Sequence, residues 1–290
     1  MNVSIGRRDR TIRRWWWVAV MAGALVAGAR GPAAQPASGS GGLHAPLDEL
    51  LDLYVRDGYV YYRALRSDRR RLDRYLAALD NPETRTGYAG WTSDERAAFW
   101  VNAYNTFVLR TVVDHYPILG RAPEYPPSSI RQIPGAFDRA IHRAAGRAVT
   151  LDAIEQTILP EFGEPRLFLA LGRGAVGSPR LRSEAFEGAR LDGQLEAVRA
   201  ECPTRAQCVF VDAVANQVEV TPVIGWHDAS FIGRYGGALD AFAERSPIER
   251  AVLAFIDPHL LTTEREFLAR RQFRVTFSQF DWRLNDLTGR

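Results

Sequence analysis

Two asparagines, Asn102 and Asn105, interrupt the most apolar helical stretch of the chain and are its first candidates for chemistry. They lie three residues apart, so a helix presents both carboxamides on one face. A buried carboxamide without hydrogen-bond partners costs roughly 1 to 3 kcal/mol, and each must therefore find partners. The two side chains either tie neighbouring backbone to the helix or line a polar cleft in which they position a ligand.

Three charged residues could belong to the same cleft. Glu155 lies beside the apolar stripe of a helical pattern at residues 151–159, where its carboxylate could point inward or stay at the rim. Arg166 opens the apolar run RLFLAL, which predicts a buried strand at residues 166–171, and Arg173 follows that run. Two buried arginines near a glycine turn favour an anionic or carboxylate ligand, although either could instead pair with Glu155 and serve the fold.

The glycine-rich turn at residues 172–177 has the form GxGxxG, and Ser178 follows it. A dinucleotide site needs a helix that opens at the third glycine of a first βαβ unit, whereas helical patterns precede this turn and Pro179 comes directly after Ser178. We therefore do not read it as a dinucleotide site. As an alternative function, Ser178 could be the nucleophile of a hydrolase, with His227 as base and the backbone of residues 174–177 as oxyanion donors.

The histidines and cysteines form no metal-binding pattern. Five histidines are scattered along the chain without an HExxH motif, and the chain has no lysine, which excludes Schiff-base chemistry. Cys202 and Cys208 flank a short polar stretch, which predicts a disulfide in an oxidising compartment. We predict no metal and no cofactor.

The N-terminus predicts export. Residues 1–29 combine arginines, an apolar run of 15 residues and a small-residue cleavage site, as in a secretory signal peptide. The run is shorter than the roughly 20 residues that span a bilayer, so we expect membrane contact only through this segment if it is not cleaved. Residues 30–43 predict a flexible tether, and residues 44–290 predict a single domain. The signal peptide predicts a periplasmic or secreted protein. Because the excess positive charge lies mostly in residues 1–29, we predict no nucleic-acid partner.

A long helix from Thr92 to Tyr116 must position the two asparagines. Thr92 and Glu95 match a capping box, Pro117 ends the helix, and its middle is apolar on almost every side. Other patterns predict a hairpin and strands at residues 137–150, 209–214, 217–221 and 273–277. The fold class is therefore α+β, a mostly helical single domain around a small mixed or antiparallel sheet, with a long buried central helix.

Six segments carry a broad resemblance: DGYVYYRAL (57–65), AFWVNAYNTFVL (98–109), LDAIEQTIL (151–159), EPRLFLAL (164–171), SPRL (178–181) and FDWRLND (280–286). They resemble the family catalogued as domain of unknown function 547 (DUF547), found in exported bacterial proteins and in plant proteins. The resemblance implies an Asp, two His and two Cys where this chain has Tyr61, Gln156, Phe168, Arg173 and Ser178. It also implies that Asn102, Asn105, Glu155 and Arg166 match the family pattern.

Each of these departures removes a group that could act as acid, base or nucleophile. We therefore expect a non-catalytic binding or scaffold protein of the cell envelope, whose ligand-binding cleft is lined by Asn102, Asn105, Glu155, Arg166 and Arg173. The partner would be an unknown small molecule or envelope protein. A serine hydrolase or acyl-transfer enzyme that uses Ser178 is the alternative, and a structural envelope protein without a ligand is a third possibility.

Overall fold

The computed structural model describes residues 42–237 and 242–288, all within one unit that spans Ser38–Arg290. The predicted signal peptide and nearly all of the predicted tether lie outside these residues. The structure is 53% helical with 10% strand in small sheets, which confirms the predicted fold class. None of the helices in the described ranges is both long enough and apolar enough to cross a bilayer.

The helices are α1 (Ala45–Tyr54), α2 (Tyr62–Ser67), α3 (Arg70–Ala78), α4 (Pro82–Gly87), α5 (Ser93–His115), α6 (Leu151–Ala153), α7 (Arg166–Leu169), α8 (Leu191–Glu201), α9 (Pro222–Trp226), α10 (Asp228–Tyr235), α11 (Pro247–Ile256) and α12 (Thr262–Ala269). Helix α6 continues as a π-helical turn over Ile154–Ile158. Short 3₁₀ turns cover Tyr88–Gly90, Ile130–Gln132, Leu159–Phe162, Gly188–Arg190, Cys202–Thr204 and Asp257–His259.

Helix α5 is the central element of the domain. Its capping box is confirmed, because the Thr92 hydroxyl accepts a bond from the Glu95 backbone N–H and the Glu95 carboxylate accepts one from the Thr92 N–H. Every residue from Ala97 to Leu109 is buried. The apolar pattern therefore correctly predicted a helix surrounded by other elements, and the charged residues collect at its two ends.

The strands form three small sheets. Strands β1 (Val55–Arg56) and β2 (Tyr59–Val60) make one hairpin, and β3 (His142–Ala144) and β4 (Arg147–Val149) make another. Strands β5 (Val209–Asp212) and β6 (Gln217–Val220) pair antiparallel, with Val209 opposite Val220. The last strand, β7 (Arg274–Phe277), pairs parallel to β6, with Gln217 opposite Arg274, so this three-stranded sheet is mixed.

Two sequence predictions about secondary structure were wrong. Residues 166–171 begin with the short helix α7 rather than a strand, because a run that is apolar at every position has no period to separate the two. The Glu164 carboxylate also accepts a hydrogen bond from the Arg166 backbone N–H, which supports the first helical turn. The alternation of Phe273, Val275 and Phe277 with polar residues predicts that these three side chains face the interior, but in β7 the Phe277 side chain is 43% exposed.

Candidate functional site

Glu155 is the centre of a buried polar cluster, and it lies in the π-helical turn after α6. Only 4% of the residue is exposed. Its Oε1 accepts hydrogen bonds from Arg173 Nη2 at 2.6 Å and Nε at 3.2 Å, and lies 3.0 Å from His227 Nε2. Its Oε2 accepts a bond from the Tyr104 hydroxyl at 2.9 Å. Both carboxylate oxygens therefore have partners, as a buried charge requires.

The guanidinium of Arg173 neutralises this carboxylate inside the core. Arg173 is 1% exposed, and besides Glu155 it donates to the backbone carbonyls of Leu171 and Phe168, each at 3.3 Å. The backbone turns directly after Arg173 at Gly174, whose φ of 67° is in the left-handed region that favours glycine. A Cβ at Gly174 would lie 3.2 Å from the Val108 side chain, so the glycine also permits close packing on α5.

The charge of Arg173 decides the ionisation of Glu155. Burial alone raises the pKa of the Glu155 carboxyl, but the Arg173 charge and the hydrogen bonds from His227 and Arg173 outweigh burial and lower this pKa to about 2. Burial and the neighbouring Glu155 carboxylate raise the pKa of the Tyr104 hydroxyl well above its ordinary value. The cluster therefore contains an ionised carboxylate and a neutral phenol at neutral pH.

His227 is fixed in this cluster by a stacked ring. Its imidazole lies parallel to the Phe168 ring, with centroids 3.6 Å apart and an interplanar angle of 3°. The residue is 6% exposed, and it connects α9 to α10. Both the stacking and the bond to Glu155 hold the imidazole in one orientation.

Ser178 lies at the edge of the cluster, and its Oγ accepts a hydrogen bond from the Arg173 backbone N–H at 3.0 Å. Among the described residues, no histidine is hydrogen bonded to Ser178, and the named candidate, His227, bonds to Glu155 instead. Two of the four predicted oxyanion donors are also engaged. The N–H groups of Val176 and Gly177 donate at 2.8 Å to the carbonyls of Arg283 and Asp281.

The two asparagines each clamp a loop to α5. The Asn102 carboxamide donates to the Phe186 carbonyl at 2.7 Å and accepts from the Phe186 N–H at 3.0 Å. The Asn105 carboxamide donates to the Ala170 carbonyl at 3.0 Å and accepts from the Gly172 N–H at 2.8 Å. Asn105 therefore fixes the start of the glycine-rich turn that carries Arg173. A ligand-binding role for either asparagine remains a prediction.

Arg166 is not part of the Glu155 cluster. Its guanidinium bonds to Glu164 at 2.8 Å, Asp192 at 2.7 Å and Glu196 at 3.1 Å. These bonds, that to Glu164 first, raise its pKa above the ordinary value for arginine. The residue lines a surface cleft together with Asp94, Asp192 and Arg234. The predicted set of site residues is thus divided, with Glu155 and Arg173 in the core and Arg166 in a separate cleft.

The sequence reasoning missed two members of the cluster. Tyr104 counts among the apolar residues of α5 in the sequence pattern, although it lies between the two asparagines and its hydroxyl needs a buried partner. His227 stands out in the sequence only as a base for Ser178. The predicted disulfide is confirmed between Cys202 and Cys208, and the described residues contain no group of three or more metal-binding side chains.

The comparisons with known proteins agree with the resemblance. Residues 88–201 match the model of a family described as "Protein of unknown function, DUF547". The match includes α5, Glu155, Arg173 and Ser178, whereas His227 lies beyond it. No curated protein and no solved structure matches the chain.

Proposed function

We propose that this DUF547-like protein is an exported binding or scaffold protein of the cell envelope that does no chemistry of its own. The single observation that carries the proposal is the ion pair of Arg173 with Glu155, at 2.6 Å and nearly without exposure to solvent. A guanidinium is always charged and is not a nucleophile, so it cannot replace a reactive group at this position. Paired with Glu155, it holds the carboxylate in place.

The substitutions implied by the resemblance meet at this ion pair. Arg173 stands where the resemblance implies a cysteine, and Phe168 stands where it implies a histidine. In the structure Arg173 bonds to Glu155, and Phe168 stacks on His227, which also bonds to Glu155. Two positions that could supply a nucleophile and a base therefore supply a counter-charge and a stacking surface. This supports a site that keeps its shape without its reactive groups.

The alternative hydrolase is supported less well by the same geometry. A serine nucleophile needs a base in hydrogen-bond reach and free donors for the oxyanion. Ser178 Oγ is bonded to a backbone N–H, and the N–H groups of Val176 and Gly177 are bonded to the strap formed by residues 281–283. An oxyanion formed at Ser178 could use the N–H groups of Val176 and Gly177 only after their bonds to the strap were broken.

Fluorophosphonate labelling tests the non-catalytic role, because only an activated serine reacts quickly. The purified protein and its Ser178→Ala variant should show the same slow background labelling in peptide mass spectrometry, while a known serine hydrolase labels fully in the same tube. Rapid labelling of the Ser178 peptide that disappears in the Ala variant would refute the proposal. Export is tested by the intact mass of protein from the extracellular or periplasmic fraction, which should correspond to a chain that begins at Arg30.

A further inference from the structure

A set of partly exposed aromatic rings lies beside the Glu155 cluster. The ring centroid of Phe280 is 5.0 Å from that of Trp226 and 4.4 Å from that of Trp282, and the two Trp centroids are 6.4 Å apart. The exposed Phe277 ring is a neighbour of Gly225, since it lies 3.4 Å from the position that a Cβ on this glycine would occupy. We call Trp226, Phe277, Phe280 and Trp282 the aromatic platform. Trp226 is 42% exposed and Phe277 is 43% exposed, whereas Phe280 and Trp282 are half-buried and pack against the core. Exposed aromatic groups of this kind mark interaction surfaces.

The geometry of the platform indicates how a ligand would contact it. The two indoles are nearly parallel, with an interplanar angle of 13°, and their centroids are 6.4 Å apart. Two stacking distances of about 3.5 Å would need about 7 Å between the rings, so no further ring enters between them. A ligand would therefore contact the exposed surfaces of Trp226 and Phe277 rather than enter between the indoles. This arrangement suits rings that lie flat along a surface better than a small molecule, which is normally enclosed on most sides.

Arg131 adds a positive charge next to these rings. Its guanidinium carbon is 4.4 Å from the Trp282 ring centroid and 4.2 Å from that of Phe137. Within residues 42–237 and 242–288, this guanidinium makes no direct hydrogen bond or ion pair and the side chain is exposed, although its charge also acts on the nearby Asp152 carboxyl. The Ser129 hydroxyl accepts a bond from the Arg131 backbone N–H, which fixes the turn. A stacked guanidinium with free donors is ready to bind a carboxylate with two parallel bonds.

The platform is joined to the buried cluster on its inner side. The Arg173 guanidinium carbon is 5.6 Å from the Trp226 ring centroid. The strap formed by residues 281–283 follows Phe280 and contains Trp282. Its carbonyls accept hydrogen bonds from the N–H groups of Val176 and Gly177. The one carboxylate of the strap, Asp281, is occupied by Arg283. The Glu155 cluster therefore supports the platform from behind.

We propose that the aromatic platform and Arg131 bind a chain of sugar rings that carry carboxylates. The C–H faces of a sugar ring are weakly positive and stack on the electron-rich face of an indole, and a carboxylate on the same or the next ring reaches Arg131. A chain of rings can contact Trp226, Phe280 and Phe277 in succession along an open surface. The proposal rests on the proposed function, since it assigns a ligand class to a protein that binds without chemistry.

The test uses hexamers of galacturonic acid and of mannuronic acid, with the neutral maltohexaose for comparison. Binding is followed by tryptophan fluorescence and by calorimetry at low and at high salt. Both acidic hexamers should bind at least about tenfold more tightly than the neutral one, and Trp226→Ala should weaken their binding by about tenfold or more. Arg131→Gln should abolish the preference for the acidic hexamers, whereas Arg121→Gln, an exposed arginine of the preceding loop, should leave it unchanged.

Three results would overturn the assignment. The first is that neither acidic hexamer binds at concentrations up to about 5 mM. The second is that both hexamers bind equally well to the folded Arg131→Gln protein. The third is that Trp226→Ala converts a dimer into a monomer in light scattering. The last result would make the platform a contact between copies of this chain. The masses of the recovered hexamers separate the two proposals, because shortened sugars refute the non-catalytic role while bound and intact sugars support both. Absence of binding together with absence of Ser178 labelling refutes only the platform.

Discussion

Replacing Arg173 by methionine tests whether the buried ion pair holds the domain together. The variant keeps a long apolar side chain but leaves the Glu155 carboxylate, 4% exposed, with only Tyr104 and His227 as partners. Removing one partner of a buried pair typically costs about 3 to 5 kcal/mol, because the remaining charge is desolvated without compensation. The structure places this variant at that level, since the carboxylate loses two hydrogen bonds and two backbone carbonyls lose a donor.

A double-mutant cycle measures the interaction itself. Glu155→Gln alone leaves the Arg173 charge without a counter-charge and should also cost about 3 to 5 kcal/mol. The double variant removes both charges, so its loss should be smaller than the sum of the single losses by roughly 3 kcal/mol. The free energies come from urea unfolding at pH 7 followed by tryptophan fluorescence, with unchanged m-values as the check on two-state behaviour.

Additive losses would refute this reasoning, because they would mean that Glu155 and Arg173 do not interact in solution. The matched control is Arg121→Met, in which an exposed arginine is changed in the same way. Its unfolding free energy should stay within about 0.5 kcal/mol of the parent protein. A large loss in this control would show that the urea transition does not report on the buried pair.

Two further predictions concern the Glu155 cluster and the turn that carries Arg173. The pKa of Glu155 is about 2 in the folded protein and 4.5 in the unfolded reference, so its ionised form stabilises the fold above pH 4.5 and this contribution is lost as the pH falls towards 2. Across this window, the unfolding free energy of the parent should fall by about 3 kcal/mol more than that of Glu155→Gln, and parallel pH profiles would contradict the shift. Asn105→Leu should cost roughly 3 kcal/mol in urea unfolding, because the Ala170 carbonyl and the Gly172 N–H lose their partner. Unchanged stability of this variant would instead favour the ligand-positioning role of Asn105.

The local parts of the fold could be predicted from the sequence. The capping box of Thr92 and Glu95, the end of α5 before Pro117 and the turn between β5 and β6 are all encoded by neighbouring residues. The strand predicted at residues 166–171 failed because propensity and period were both indecisive there. The parallel pairing of β6 with β7 joins residues 57 positions apart, and no local signal specifies such a contact.

The cluster could be predicted only in part, for a related reason. The sequence indicated that Arg166 or Arg173 could pair with Glu155, but it could not choose between them. The choice depends on where other carboxylates lie. Helix α8 presents Asp192 and Glu196 to Arg166, which leaves Arg173 as the partner of Glu155. This distribution is a property of the packed helices, and no spacing along the chain reveals it.

The glycine-rich turn shows how packing decides between chemistry and support. Before the turn, Asn105 holds the N–H of Gly172, and after it the strap of residues 281–283 takes the N–H groups of Val176 and Gly177. Donors that could stabilise a reacting oxygen are therefore used to fix the backbone around Arg173. The same bonds set the strap in position and, with it, the rings on the outer surface. The turn thus contributes rigidity to the surface that carries the aromatic platform rather than a free site for catalysis.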